Sequence, residues 1–251
     1  MCVKLKPEKK KPEKKKIDFP RFSELNSNNV LRDLQIHTNW TDGESSVKDL
    51  LEQADRVGLK EIGFTEHARH NSTYYPEFFD EIDFYAEKFP NLVAYKGFEV
   101  KIKSANGCLD MSNKMRDAAE LVLGSVHSMI DKPSGRRVHP KEMDLAVAVA
   151  TETDLSLGLI ENGGADVLSH PGGMSLRFHG EFPFANFDLL LSRIKHTTMA
   201  FELNYAYHSR IMPHLLELVA KHDPFVSIGS DVHNVHDMGK CSAAILQSLR
   251  I

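Results

Sequence analysis

Side chains able to hold metal ions recur at the ends of short apolar runs in this 251-residue chain. The first run supplies Gln35 and His37 with Asp42 just beyond, the second His67, the third Glu99, the fourth His127, the fifth His170, and the last Asp231 and His233. In proteins that alternate strands with helices, chemistry collects where strands deliver their last residues to loops. The donors are imidazoles and carboxylates with no thiolate among them, a set that suits zinc, manganese or iron. They exceed what one ion takes, so two or three divalent ions are expected. Asp231 and His233 alternate at a strand end and therefore point the same way. Any one of these residues alone would read as a hydrogen-bonded loop side chain. Six of seven apolar runs ending at such a residue is a pattern, and it predicts a metal centre.

The elements that must position these residues follow from periodicity. Val30 to Ile36 reads as a buried strand, then a polar turn closes on Asp42-Gly43, where glycine supplies turn freedom. Ser46 can cap a helix in which Val47, Leu50, Leu51, Ala54 and Val57 repeat at helical spacing and Gly58 stops the run. Further strands are expected at Leu59–Phe64, Leu92–Tyr95, Leu121–Val126, Ala165–Ser169, Met199–Leu203 and Phe225–Gly229. Helices are expected around Phe78–Lys88, Pro140–Glu161, Asp188–Lys195 and Pro213–Lys221, with a small hairpin excursion near Asn106-Gly107. Seven short apolar runs separated by helical patterns predict an α/β fold with a parallel sheet, and seven units in this length fit a closed or nearly closed barrel. The donors would then meet at the C-terminal mouth of the strands. No Gly-x-Gly-x-x-Gly follows the first strand and no Gly-x-x-x-x-Gly-Lys-Ser/Thr occurs, which removes the main support for a nucleotide-cradling fold.

Composition is that of a soluble domain, with 41% hydrophobic and 26% charged residues. No apolar run approaches the roughly 20 residues of a membrane span, and no signal-peptide core is visible near the start. Cys2, Cys108 and Cys241 are far apart and odd in number, which fits a reducing cytoplasm and not a disulfide framework. Charge is uneven: residues 4–16 hold eight Lys and two Glu, while residues 17–251 carry about −10. The segment 1–16 is expected to be a disordered basic tail and 17–251 the folded domain. An acidic domain argues against broad binding of duplex DNA.

DLQIHTNWTDG (33–43), GFTEH (63–67), GFEV (97–100), GSVHS (124–128), SHPGG (169–173) and GSDVH (229–233) together resemble the motifs of the PHP family, the polymerase and histidinol phosphatase domain, in the family's order. The resemblance implies a distorted (β/α)7 TIM-like barrel, a trinuclear metal centre and hydrolysis of phosphoesters by a metal-activated water. By motif it carries metal ligation to His37, His67, Glu99, His127, His170, Asp231 and His233, with Asp42 joining them, and a catalytic part to His37, His67, Glu99, His127 and Asp231. One position departs from the pattern. The opening motif usually has His at both ends of His-x-His, and here the first is Gln35, whose neutral carbonyl oxygen is a weaker ligand.

Phosphate also needs positive charge, best supplied by guanidinium. Arg177, Arg210 and Arg69 follow the donor motifs closely enough to stand on mouth loops. A nucleic-acid substrate would want a basic groove with aromatic platforms, and no Lys/Arg run adjoins any donor motif. A small phosphomonoester is therefore the expected substrate, with a 3′-5′ exonuclease-like phosphodiesterase as the alternative. Two further readings compete: an amidohydrolase-type barrel, whose opening motif Gln35 spoils, and a PHP-like regulatory domain that has lost catalysis, which Gln35 alone supports.

Overall fold

A computed structural model describes residues 14–130 and 136–251. Nine strands and nine α-helices occur among the described residues: β1 (Arg32–Ile36), α1 (Val47–Arg56), β2 (Glu61–Ala68), α2 (Tyr75–Ala86), β3 (Val93–Lys101), α3 (Asn113–Ala118), β4 (Leu121–Ser125), β5 (Met129–Ile130), β6 (Arg137–Val138), α4 (Leu145–Asn162), β7 (Val167–Leu168), α5 (Gly173–His179), α6 (Phe184–Ile194), β8 (Ala200–Asn204), α7 (Tyr205–His208), α8 (Met212–His222), β9 (Val226–Gly229) and α9 (Lys240–Leu249). Seven strands form one parallel sheet in the order β1-β2-β3-β4-β7-β8-β9, and β5 pairs with β6 as a separate hairpin. A parallel bridge between Ile36 and Val232 brings the two edges together, with His37 N donating to Val232 O at 2.8 Å and Val232 N to Gln35 O at 3.1 Å. The result is the expected seven-stranded barrel.

Alternation along each strand separates an outer apolar layer from an inner one. Ile62 and Phe64 of β2 and Phe98 of β3 pack outward with Leu50, Leu51 and Ala54 of α1 and Phe78, Phe79 and Ile82 of α2. On the other half, Phe201, Leu203, Val226 and Ile228 meet the buried faces of α4, α6 and α8. Each such side chain, fully buried, contributes about 1.5–3 kcal/mol. Inside, Leu34, Tyr95, Leu121, Leu123, Val167 and Ala200 cluster with Ile17, and Phe19 and Phe225 pack against them. The interior is thus filled at its N-terminal end.

The helices follow their local signals. Ser46 Oγ accepts from Asp49 N and opens α1, and Gly58 ends it at φ 80°. Two strands run further than their apolar residues suggest. β2 continues to Ala68 and β3 to Lys101, because their registers match without a break from Glu61–Val93 to Ala68–Val100. His67 and Glu99 therefore sit within paired strands. α3, α5 and α7 are too short to carry an amphipathic pattern, whereas α9 carries one in Cys241, Ile245 and Leu249 and is an addition to the expected helices; Pro140–Glu142 is a separate 3-10 turn before α4. Gly43 departs from the expectation in its reason: its φ is not positive, and a Cβ there would collide with the His37 carbonyl.

Most of the expected basic tail, residues 1–13, lies outside the described residues. Its last part is held on the barrel: Lys14 Nζ donates to Arg116 O and Ala119 O, and Lys15 Nζ to Ala94 O at 2.8 Å. No described helix is long and apolar enough to cross a membrane.

Candidate metal centre

The mouth of the barrel is organised on the carboxylate of Glu99, delivered inward by β3. Its Oε1 lies 2.8 Å from His170 Nε2 and 3.0 Å from His127 Nε2; its Oε2 lies 3.0 Å from His67 Nδ1 and 3.5 Å from His37 Nε2. One carboxylate thus touches four imidazoles from four strands. Asp231 Oδ1 approaches His37 Nε2 at 3.3 Å. Asp42 Oδ2 reaches back from the loop after β1 to His67 Nε2 at 3.2 Å and His233 Nε2 at 3.5 Å. Two groups of donor atoms result, each within 4.8 Å: His37, Asp42, His67 and His233, and His67, Glu99 and His127. His67 belongs to both, so the groups adjoin.

Burial makes these contacts electrostatically strong. Glu99 would be pushed up by desolvation, but His127, His170 and His67 outweigh it and hold it well below the usual carboxylate range. Hydrogen bonds to His233 and His67 depress Asp42. Burial pulls His67 down, yet Asp42 and Glu99 raise it to about 10; for His170 Glu99 wins the same contest, to about 9. His127 goes the other way, because its desolvation exceeds the pull of Glu99.

These residues fit divalent cations. Both ring nitrogens of His37 are buried without a hydrogen-bond partner, as are Glu99 Oε2 and His170 Nδ1. Buried polar atoms left unpaired are costly, and here they converge where carboxylate and imidazole donors of the right chemistry already point. His170 at φ 28° and Asp231 at φ 56° are in the left-handed region, a strain of about 1–3 kcal/mol each that clusters at functional sites.

Gln35 stands apart from the imidazoles and carboxylates. Its Oε1 accepts from Asn204 Nδ2 at 2.7 Å, which engages one lone pair of the oxygen expected as the ligand. It lies in the polar layer beside Glu202 and Asn204.

Four buried carboxylates, none recognisable from sequence, fix the loops that carry the donors. Asp33 accepts from Ser230 N and Gly239 N and holds the Asp231 loop. Glu66 accepts from Thr38 N at 2.6 Å and from Thr41 Oγ1, holding the Asp42 loop. Glu152, in the middle of α4, accepts from Met174 N, Ser175 N and Ser175 Oγ at the start of α5. Glu202 accepts from His170 N and Ser169 Oγ. Burial raises all four, Asp33 to about 6 and Glu202 to about 7. His208, buried and pulled down to about 4 by desolvation, accepts from Asn204 N, so its other nitrogen donates to Pro171 O beside His170. In the sequence Glu152 resembles any surface glutamate of a helix. Only the apolar residues around it on α4, itself buried on most sides, signal otherwise.

The expected arginines separate into two places. Arg69 lines a cavity of about 190 Å³ with His67, Glu99, Lys101 and His127. Lys101 is lowered by burial and by the neighbouring Arg69 and Arg137, and sequence reading passed over it. Arg177 and Arg210 are not among the residues that line that cavity. They line a cavity of about 480 Å³ on the far side of Tyr207, whose ring is 4.6 Å from that of His170 and whose hydroxyl accepts from Arg177 Nη1 at 3.4 Å.

A parallel barrel with imidazole and carboxylate donors gathered at its C-terminal mouth defines a class of metal-binding (β/α) domain. The model of the PHP domain matches residues 33–206, and the chain belongs to this family. It is 24% identical over 212 residues to the DNA polymerase/3′-5′ exonuclease PolX of Bacillus subtilis (strain 168), covering 81% of this chain but only about a third (34%) of that protein's length. Among solved structures it is similar to the histidinol phosphate phosphatase of Lactococcus lactis subsp. lactis Il1403 complexed with Zn, L-histidinol and phosphate, with TM-score 0.68 and 18% identity, covering 86% of this chain and 93% of that one. It is also similar to a chain of archaeal ribonuclease P with mature tRNA, with TM-score 0.51 and 14% identity, covering 87% and 88%.

Proposed function

We propose that the chain is a metal-dependent phosphoesterase that hydrolyses a small phosphomonoester. The observation that carries this reading is the convergence of four imidazoles on Glu99, with buried donor atoms left without hydrogen bonds. His37, Asp42, His67, Glu99, His127, His170, Asp231 and His233 would hold two to three divalent ions, Mn, Zn or Fe. Such ions, when bound, supply Lewis-acid polarisation of the phosphoryl group and acidify water enough for attack at neutral pH. Glu99 sets the spacing of the donors, since both of its oxygens are shared. Arg69 and Lys101 face the same small cavity as His67 and His127 and would orient the phosphoryl oxygens there by charge-assisted hydrogen bonds. The carboxylates of Asp33, Glu66, Glu152 and Glu202 keep the loops in place so that little rearrangement accompanies reaction. The histidinol phosphate phosphatase likeness supports a small substrate, and the three separated cysteines support a cytoplasmic site of action.

The likeness to PolX keeps a 3′ nucleic-acid end as the second reading. The test loads the purified protein with Mn²⁺ and compares phosphate release from a phosphomonoester panel with shortening of labelled single-stranded DNA. Phosphate release without shortening is expected. Processive shortening with negligible phosphate release would reverse the choice.

A further inference from the structure

Residues 17–251 carry 33 acidic side chains against 23 basic ones, so a cation at a cavity wall has ample opportunity to find a carboxylate. Arg69, Lys101, Arg177 and Arg210 make no ion pair with any described residue. They occur as two pairs, and each pair lines a cavity. Arg69 and Lys101 share the 190 Å³ cavity with His67, Glu99 and His127. Arg177 and Arg210 share the 480 Å³ cavity with Tyr207. The two are joined through the donor cluster: His67 and His127 contact Glu99, Glu99 contacts His170, the His170 ring meets the Tyr207 ring, and the Tyr207 hydroxyl meets Arg177. Donors line the smaller cavity themselves, none lines the larger one, and the link between them runs through His170 and Tyr207, so the two cationic pairs serve different positions.

We propose that the mouth takes a substrate with two anionic groups, its reacting phosphate beside Arg69 and Lys101 and a second phosphate or carboxylate in the cavity of Arg177 and Arg210. This rests on the phosphoesterase reading and narrows its substrate class. Tyr207 stands between the two positions and sets their separation. The larger cavity lies outside the ring of donors, so a group bound there does not compete with the metal ligands.

The test measures binding as well as turnover. Metal-loaded protein is titrated calorimetrically with n-alkylphosphonates and with chains of equal length ending in a carboxylate or a second phosphonate, over two to six methylenes. Metal content is assayed after each titration. At one chain length, a doubly anionic ligand should bind about tenfold tighter or more than its singly anionic partner, as charge-assisted contacts to two guanidinium groups imply. In Arg177→Ala and Arg210→Ala that ratio should fall towards one. The corresponding doubly anionic phosphomonoesters should show a matching gain in kcat/KM. Equal affinity at every length, or a ratio untouched by both substitutions, overturns the two-anion mouth while leaving turnover of simple monoesters to stand. A clear affinity ratio without turnover of any ester supports the two-anion mouth and overturns the hydrolase reading instead. If only one kind of second group shows the gain, that kind is the one recognised.

Discussion

The buried carboxylate of Glu202 accepts the backbone N–H of His170 at 2.6 Å, directly beneath the imidazole that touches Glu99. The same oxygen takes the Ser169 hydroxyl at 2.9 Å, so consecutive residues of one strand end hang from a single side chain. Glu202→Ala leaves both donors unpaired in a dry interior and should cost about 2–4 kcal/mol. Glu202→Gln keeps the shape and should cost less. Denaturant unfolding of chelator-treated protein checks the ranking, and an alanine variant as stable as the parent would refute it.

His67 is the donor shared between the two groups. His67→Ala should lower both metal content and turnover by about a hundredfold or more, with the barrel still folded, because the side chain lines the mouth and not the core. Elemental analysis, turnover and circular dichroism report the three parts separately.

Asp42 makes the metal-free protein pH-sensitive. Against the opposing effect of burial, Asp42 raises His67 to about 10 with help from Glu99, and His233 to about 9 with help from Asp231. Histidines raised in the folded state contribute stability that is complete below their unfolded value near 6.5. That contribution is lost as pH climbs through 9 to 10. Asp42 itself is depressed, so its share is present above its ordinary value near 3.8 and fades in acid. The stability gap between the parent and Asp42→Asn, measured in chelator, should be largest from about pH 4 to 6.5 and close by pH 10. A gap that widens in alkali would contradict the ion-pair account.

Gln35→Ala should leave the number of bound ions as it is, since the Gln35 carbonyl oxygen engages Asn204, while costing about 1–3 kcal/mol because one N–H of the Asn204 amide loses its acceptor and the other keeps Glu202. A loss of one equivalent of metal with stability intact would show residue 35 to be a ligand.

Truncation separates the start of the chain into two parts. Removing residues 1–13 should leave the melting temperature and turnover as they are, whereas Ile17→Ala should cost about 1–3 kcal/mol by opening a void among Leu34, Leu121 and Leu123. Thermal melts of both variants decide it.

The barrel and most of its donors were legible because both rest on repetition. Seven short apolar runs were separated by helical patterns, and six of the seven ended at an imidazole or carboxylate. His37, His67, Glu99, His127, His170, Asp231 and His233 needed only strand position to be brought together. Gln35 shows what motif position leaves open: the hydrogen bond that its carbonyl oxygen accepts from Asn204 depends on a strand 169 residues further along the chain. Lys101 went unnoticed because β3 runs past its apolar residues, and nothing local shows that strand pairing will carry a lysine to the mouth. Glu152 and Glu202 were invisible for a related reason. A carboxylate that holds a loop looks like any other until the fold supplies the backbone N–H groups it accepts.

The seam of the barrel lies between β9 and β1, fastened by the two backbone hydrogen bonds around Val232. His37 stands on one lip of that seam, and Asp231 and His233 on the other. A cation shared by these side chains would be a rivet through the seam. Metal binding and closure of the barrel between β9 and β1 would then be linked, because the ligands of one ion come from both edges.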